Sequence, residues 1–260
     1  MPPQRGGEAE VDYNLSMIRF DPEHETVFGP FDLKLDGAPS KCLMIFDDEI
    51  WEDYVLVNPD LGTQEVRNAS GRVFDNFRYV EAGGERVLLV NPTTGAAGAV
   101  CDMELLIASG ISKIVAFGTC GRLDRNIAKN TIILPTAAYR EEGTSYHYLP
   151  ESDEIEADVR LLDVCREVFA ARGLATLEGK VWTTDAVYRE TAGKVHLMKE
   201  RSCVAVEMEL SALTAVAQYR GVDFTEFLIT EDTVDGEAVE PLERKNAEIF
   251  EAAIEIVGRI

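Results

Sequence analysis

The chain has 260 residues, 46% of them hydrophobic, and its 47 acidic and 25 basic side chains give a formal net charge of −22. This length suits one sizeable α/β domain or two small ones, and so acidic a surface, expected to be mostly solvated, argues against a nucleic-acid partner. The N-terminal segment MPPQRGGEAE has no apolar signal core and no later apolar stretch is long enough to span a bilayer, which predicts a cytoplasmic protein without a membrane partner.

Eight short apolar segments are predicted to be strands. Most are continuously apolar, as expected when both faces of a sheet are covered. In chain order they are CLMIF (42–46), YVLV (54–57), VLLV (87–90), KIVAF (113–117), TIILP (131–135), GKVWTT (179–184), CVAVEM (203–208) and FLIT (227–230).

Helical patterns alternate with these strands. One helix is predicted over residues 100–109 with Gly110 as its C-cap, and another between the N-cap Asp158 and Gly173. The last helix follows Pro241, a residue that suits a first turn. The alternation predicts an α/β sandwich around a largely parallel sheet.

No linker, internal repeat or low-complexity segment divides the chain. We therefore predict one domain over residues 41–260, with residues 1–40 as an N-terminal extension packed on or beside it. The cysteines are odd in number and form no Cys-x-x-Cys pair, and the chain has only three histidines, so a zinc site is not expected. Buried free thiols in a reducing compartment are predicted for Cys42, Cys101, Cys120, Cys165 and Cys203.

Four loops after predicted strands carry polar or glycine-rich sequence, and ligands of such folds bind beyond the carboxyl ends of the strands. In FGTCGRL (117–123), Gly118 and Gly121 permit close backbone approach and Thr119 offers a hydroxyl. The backbone N–H groups of this loop are suited to cradle an anion, although a tight structural turn is at least as well supported.

The next two loops carry groups suited to a flat ring. REEGTSYHYLP (140–150) places His147 between two tyrosines, as a base contact or as a packed histidine. WTTDAVYRET (182–191) contains Asp185 and Arg189, as ligand groups or as a helix N-cap with surface charges.

Acidic side chains mark the ends of two further strands. In LITEDTVDGE (228–237), Glu231 and Asp232 end a strand, where a carboxylate can be a general acid if burial raises its pKa; a turn aspartate is the alternative. In VAVEMELSAL (204–213), Glu207 and Glu209 interrupt an apolar stretch between a strand and a helix. Burying a carboxylate without a partner is costly, so these two either face solvent or meet polar groups in a cleft. A carboxylate at that edge can accept two hydrogen bonds from the vicinal diol of a ribose.

Four of these segments, in order, resemble motifs of the purine nucleoside and uridine phosphorylase family. VEMELSA resembles the family's Val-Glu-Met-Glu-(Ser/Ala)-Ala signature, and FGTCGRL its Gly-(Ser/Thr)-Cys-Gly-Gly-Leu loop. WTTDAVY resembles its base-side loop, and TEDTVDG the segment that holds its purine-specific aspartate. The order and spacing hold from Cys42 to Ile260.

The resemblance implies a three-layer α/β sandwich with a central mixed, largely parallel sheet, in dimers that assemble further as hexamers. It implies a pentosyltransferase, a nucleoside phosphorylase of nucleotide salvage. Phosphate, as co-substrate, attacks the anomeric carbon of the ribose, and the products are a free base and ribose 1-phosphate. Neither an organic cofactor nor a metal is needed.

The resemblance also assigns residues by position. Glu209 and Met208 hold the ribose, with Glu207 adjacent, and Asp232 acts on the leaving base. The base side comprises Val187, Tyr188, Arg189, His147 and Asp185, and the phosphate side Gly118, Thr119 and Arg122.

Two arginines of the family pattern are absent. The family's Gly-Asp-Pro-x-Arg loop is expected after YVLV, where the chain reads NPDLGT (58–63), and a second family arginine aligns with Ala116. Guanidinium groups make the strong charge-assisted contacts to phosphate, so their loss weakens the anion site. Arg122, Arg67 and Arg72 are candidate replacements, the last from a neighbouring subunit.

Three functions are therefore considered, in this order: a nucleoside phosphorylase, a nucleosidase that uses water, and a non-catalytic protein that binds nucleosides. The base is left open, since Asp232 favours a purine, whereas Arg189 and His147 suit a pyrimidine equally well.

Overall fold

A computed structural model describes most of the chain from residue 37 onward and short stretches before it. The described residues are 20–24, 26–27, 29–30, 35, 37–58, 61–63, 66–67, 73–74, 77–233 and 246–260, with only the backbone described for 62–63, 66–67, 73–74 and 232–233.

A ten-stranded mixed sheet forms the centre of the described part, and β3 and β4 pair separately. The strands are β1 (Lys41–Phe46), β2 (Gly62–Thr63), β3 (Val66–Arg67), β4 (Val73–Phe74), β5 (Phe77–Ala82), β6 (Glu85–Val90), β7 (Lys113–Arg122), β8 (Ile132–Glu141), β9 (Glu154–Glu156), β10 (Thr176–Thr184), β11 (Cys203–Glu207) and β12 (Asp223–Thr233).

The strand order is β11-β10-β8-β12-β7-β1-β6-β5-β2, with β9 paired to β8. The central pairs β6–β1, β1–β7 and β7–β12 are parallel, as are β8–β10 and β10–β11. The pairs β12–β8 and β11–β7 are antiparallel. Because β11 also pairs with β7, five strands curl into a closed ring, and the carboxyl ends of β7, β11 and β12 meet on one side.

Helices cover both faces of this sheet. They are α1 (Asp48–Ile50), which continues as a π-helical segment (Trp51–Leu56), then α2 (Ala96–Ala108), α3 (Val159–Ala171), α4 (Ala192–Glu200), α5 (Leu210–Arg220) and α6 (Asn246–Arg259). Helices α2 and α5 pack with one set of sheet residues, and α3 and α6 with the other. The predicted three-layer α/β sandwich is confirmed.

Alternation along β7 explains why its sequence is continuously apolar. Ile114 and Ala116 face α2 and α5, whereas Val115 and Phe117 face α3 and α6, where Phe117 stacks on Phe227 at a centroid distance of 5.2 Å. All four β7 side chains are fully buried. Both faces of the strand are thus inside the protein.

Seven of the eight predicted strands are confirmed, and YVLV is wrong. Residues 54–56 lie in the π-helical segment, where Val55 is buried and Leu56 is 46% exposed. The helical stretch starts directly after β1, with the Asp47 carboxylate accepting a 2.9 Å hydrogen bond from the backbone N–H of Ile50. A short apolar run is compatible with either a strand or a helix, and here the Asp47 cap favours the helix.

The predicted helix ends are largely correct. Asp158 caps α3 by accepting a 2.9 Å hydrogen bond from the backbone N–H of Arg160, and Gly110 and Gly173 follow their helices with φ of 105° and 66°. Helix α2 begins at Ala96, four residues before the predicted start. The segment around Pro241 lies outside the described residues.

All five cysteines are free, and four are buried, but Cys101 on α2 is exposed. Within the part of the chain that the structure describes, no helix has the length and apolarity of a membrane span, and no group of His, Cys, Asp and Glu is arranged to hold a metal ion.

Candidate active site

A cavity of about 510 Å³ opens where the carboxyl ends of β7, β11 and β12 meet. Phe46 at the end of β1, Gly118 to Gly121 of β7 and Leu228 of β12 form its apolar and backbone walls. The segment 206–209 between β11 and α5 forms another side. The structure therefore brings three of the four loops predicted from sequence to one site, with the 182–191 loop contributing Val187 and Glu190.

Glu207 lies at the junction of β11 and α5. Its Oε2 accepts hydrogen bonds from the backbone N–H groups of Glu209 (2.6 Å) and Leu210 (2.8 Å), which lie at the start of α5. Its Oε1 accepts a 2.5 Å hydrogen bond from the hydroxyl of Thr183 on β10. Glu207 thus caps the helix and ties it to the sheet, which answers why a carboxylate occurs in this apolar stretch.

Glu209 holds the same junction to a second helix. Its Oε1 accepts a 2.6 Å hydrogen bond from the backbone N–H of Gly95, immediately before α2, and its Oε2 accepts a longer one of 3.3 Å from the N–H of Met208. The side chain is largely buried and lines the cavity. A carboxylate has about four acceptor positions, so Glu209 can still accept hydrogen bonds from a bound diol.

Burial shapes the titration of both carboxylates. It raises the pKa of Glu207 to about 8, with the nearby Glu209 adding to the rise, while the bonds from Thr183 and the two backbone N–H groups oppose it. Burial also raises the pKa of Glu209, and its bonds from Gly95 and Met208 act in the opposite direction.

Three further glutamates line the cavity, and only Glu231 was singled out from the sequence, as a carboxylate at a strand end. They are Glu190, Glu226 and Glu231. Burial, and then Glu141, raises the pKa of Glu190. Glu226 in the middle of β12 is 3% exposed, and burial followed by repulsion from Glu207 and Glu209 raises its pKa well above the usual range. The only sequence signal for Glu226 is its place directly before the apolar segment FLIT (227–230).

The expected phosphate side is built from backbone rather than from cations. Gly118 and Thr119, which the family resemblance assigns to phosphate, both line the cavity. A Cβ on Gly118 would meet the Cβ of Phe46 at 2.8 Å, so the close approach of these two strands requires a glycine. Ala116, where a family arginine aligns, is fully buried.

Arg122 does not belong to the cavity wall. Its Nη1 donates a 2.6 Å hydrogen bond to the carbonyl oxygen of Ile127. Among the described lining residues there is no lysine or arginine, against five glutamates. Arg72 and the side chain of Arg67 lie outside the described part.

The predicted base-side residues divide into two groups. Val187 lines the cavity, and Asp185 accepts a 2.9 Å hydrogen bond from the backbone N–H of Gly143, which ties the 182–191 loop to the 140–150 loop. The remaining three, all exposed and outside the cavity wall, are His147, Tyr188 and Arg189.

Asp232 follows Glu231, a wall residue, near the end of β12. The backbone of β12 shifts register against β7 between Thr230 and Thr233. Glu231 lines the cavity, and the side chain of Asp232 lies outside the described residues.

Comparisons with known proteins agree on one family. A family model described as the phosphorylase superfamily matches residues 52–259. The chain is 27% identical over 224 residues to a protein named purine nucleoside phosphorylase DeoD-type from Brevibacillus brevis, and the match covers 84% of this chain and 94% of that protein.

Two solved structures are similar in fold. One is purine nucleoside phosphorylase from Toxoplasma gondii in complex with immucillin-H, with a TM-score of 0.68 and 19% identity, covering 88% of this chain and 91% of that one. The other is AMP nucleosidase from Bacteroides thetaiotaomicron, with a TM-score of 0.65 and 23% identity, covering 84% and 87%. At these identities the two structures support the fold alone.

Proposed function

The chain belongs to the phosphorylase superfamily, as a divergent member, and we propose that it hydrolyses the N-glycosidic bond of a ribonucleoside. The products are a free base and free ribose. The observation that carries the choice of water is the cavity wall, which has five glutamates and, among its described residues, no lysine or arginine.

The ribose is assigned to Glu209. Its carboxylate is largely buried, lines the cavity, and is held by the N–H groups of Gly95 and Met208, so its position is fixed before a nucleoside arrives. A fixed acceptor pays little ordering entropy on binding and suits the two adjacent hydroxyls of a ribose. Met208, also in the wall, supports the sugar from the same segment. Glu207 lies beside them, with its own oxygens engaged in the cap of α5.

The leaving base is assigned to Asp232. The assignment is supported by its place on β12 directly after the wall residue Glu231, on the same strand as the wall residues Glu226 and Leu228. A carboxylic acid there can protonate or hydrogen-bond a purine as the glycosidic bond breaks. Val187 is the apolar neighbour of the base on the opposite loop.

Water is favoured over phosphate by electrostatics. Phosphate is largely a dianion near neutral pH, and it binds where guanidinium or ammonium groups offset its charge. Here the wall contributes carboxylates, and the arginine position of the family pattern is Ala116. Water is neutral and meets no such repulsion, and a carboxylate of the wall can take the proton that the attacking water releases.

Phosphorolysis, the reaction that the family resemblance implies, is the second candidate. It is supported by the backbone of Gly118 to Gly121 and the hydroxyl of Thr119, all in the wall, since such N–H groups can bind an anion. It is also supported by the name of the relative from Brevibacillus brevis. Without an arginine, we expect a phosphate KM at or above about 1 mM.

Product analysis tests the proposal. Purified protein is incubated with a panel of purine and pyrimidine ribonucleosides, with and without phosphate, and base, ribose and ribose 1-phosphate are separated by chromatography. Hydrolysis gives equimolar base and ribose in phosphate-free buffer. Ribose 1-phosphate that forms only with phosphate supports the second candidate. Binding of nucleosides without any cleavage supports the third function, a non-catalytic binding protein.

A further inference from the structure

Glu226 occupies an unusual place in the sheet. In the parallel pairing of β12 with β7, it lies directly beside Ala116. Residues paired across adjacent strands project to the same face of a sheet, and Ala116 belongs to the face covered by α2 and α5. Glu226 thus lies beside the position, Ala116, at which the family pattern has a phosphate-binding arginine. This chain therefore has an acidic side chain where the family pattern has a basic one.

The carboxylate of Glu226 lacks the support that the other buried acids have. The residue is only 3% exposed, and its Oε2 has no hydrogen-bond partner among the described residues. Glu207, by contrast, accepts three hydrogen bonds and Glu209 two. An unpaired buried carboxylate costs stability, so a contribution to the fold does not account for its presence here.

The groups around Glu226 are acids as well. Cys120 projects from β7, Glu207 and Glu209 lie at the start of α5, and Glu231 follows on β12 itself. No described lysine or arginine in the cavity wall neutralises them. A group in such a setting is suited to accept a proton from a neutral molecule, because each nearby negative charge favours its protonated form.

We propose that Glu226 is the general base that activates the attacking water. This inference rests on the proposed hydrolysis. The water oxygen forms a bond to the anomeric carbon while its proton passes to the carboxylate of Glu226. The bond from that carbon to the base nitrogen breaks, its electron pair stays with the base, and the base takes a proton from Asp232. The proton on Glu226 then returns to solvent, and Asp232 is reprotonated, so each turnover consumes one water.

The raised pKa of Glu226 agrees with this role. Burial, together with Glu207 and Glu209, raises the pKa of Glu226 well above the usual glutamate value, so the deprotonated form that can act as a base gains population, and kcat should rise, as pH increases. The other two wall glutamates are less suited, since Glu190 and Glu231 are both only partly buried.

The test compares Glu226→Gln with Glu226→Asp and with Glu251→Gln, a change at an exposed glutamate of α6 on the opposite face of the sheet. Wild type is first assayed in phosphate-free buffer. We expect Glu226→Gln to lower kcat by about 10²–10⁴ with KM changed less than about threefold, and Glu226→Asp to keep more activity. Glu251→Gln should match wild type. The acidic limb of the wild-type pH profile of kcat should be absent from the residual activity of Glu226→Gln.

Thermal unfolding distinguishes a base from a structural residue. Because Gln keeps the size of the side chain and cannot ionise in the buried position, Glu226→Gln should unfold at the wild-type temperature or above it. Wild-type kcat in Glu226→Gln, or lost kcat together with a lower unfolding temperature, would overturn the assignment while hydrolysis stands. Wild type that cleaves nucleosides only with phosphate would overturn hydrolysis and this inference together.

Discussion

The backbone N–H of Gly95 donates a 2.6 Å hydrogen bond to Oε1 of Glu209, across 114 positions of the chain. This bond joins the start of α2 to the start of α5 and fixes the carboxylate in the cavity wall. Gly95 has φ of 92°, a conformation that other residues adopt only with strain. The turn before α2 and the ribose contact that we assign to Glu209 thus depend on each other.

Replacing Glu209 tests this ribose contact. We expect Glu209→Ala to raise KM and to lower kcat/KM by a factor that corresponds to about 2–4 kcal/mol, because a charged hydrogen bond is lost and a buried N–H is left unpaired. Steady-state kinetics on the best nucleoside of the panel measure this. Activity within a factor of two of wild type would remove Glu209 from the site.

A 2′,3′-dideoxynucleoside with the same base is the matched control. It lacks the diol, so wild type should cleave it poorly, and Glu209→Ala should change its kcat/KM much less than that of the ribonucleoside. An equal loss on both substrates would mean that Glu209 supports the fold of the site instead of contacting the ribose.

The buried Glu207 makes stability depend on pH. Its folded pKa of about 8 lies above the usual value of 4.5, so between these values the folded protein holds a proton that the unfolded chain has released. Stability from this group is therefore present below pH 4.5 and is lost as pH rises toward 8. As pH rises from 5 to 8, wild type should lose stability relative to Glu207→Gln, because only wild type must ionise this buried group. Urea denaturation at each pH measures the two free energies of unfolding.

A second substitution separates this charge effect from the helix cap. Glu207→Ala leaves the N–H groups of Glu209 and Leu210 without their acceptor, and we expect it to cost about 2 kcal/mol at every pH. A pH-independent difference between Glu207→Gln and wild type would show that Glu207 is ionised throughout this range.

Asp232 is expected to act on the leaving base. Asp232→Asn keeps the shape of the side chain but removes its acidic proton, and should lower kcat for purine nucleosides by about 10²–10⁴. Pyrimidine nucleosides, whose base has no imidazole nitrogen to accept this proton, serve as the comparison. Full activity of Asp232→Asn on purine nucleosides would make the residue structural.

Assembly is predicted from the family resemblance. We expect at least a dimer through an apolar interface, although the charge of −22 alone would favour monomers. Tyr188 is 97% exposed and adjoins Val187 in the cavity wall, so this edge of the site is where a second copy would shield apolar surface. Light scattering at moderate salt should give a multiple of 28.8 kDa, and a mass near 28.8 kDa would contradict the prediction.

The sequence predicted the layers of the fold because strands covered on both faces read as continuous apolar runs. It misread YVLV because four apolar residues fit a strand and a helix turn equally well. It also missed α4, in which only Met198 is buried, since a helix with so little buried surface has a weak apolar pattern.

Part of the candidate site was predicted because carboxylates inside an apolar stretch are unusual. Glu207 and Glu209 stood out as carboxylates in an apolar stretch, and both line the cavity. Glu226 did not, because the predicted strand began after it, at residue 227, whereas β12 begins at Asp223. A buried acid breaks the pattern by which strands are recognised, so functional positions are where such predictions fail.

The dependence of the initial rate on phosphate concentration tests the central claim most directly. Base release from the best ribonucleoside is followed from phosphate-free buffer to about 50 mM phosphate, roughly fifty times the upper end of common KM values, at constant ionic strength. Hydrolysis in this acidic cavity predicts a rate that does not change, with ribose as the co-product throughout. A rate that is zero without phosphate and rises to saturation with it, with ribose 1-phosphate as the co-product, would contradict the account.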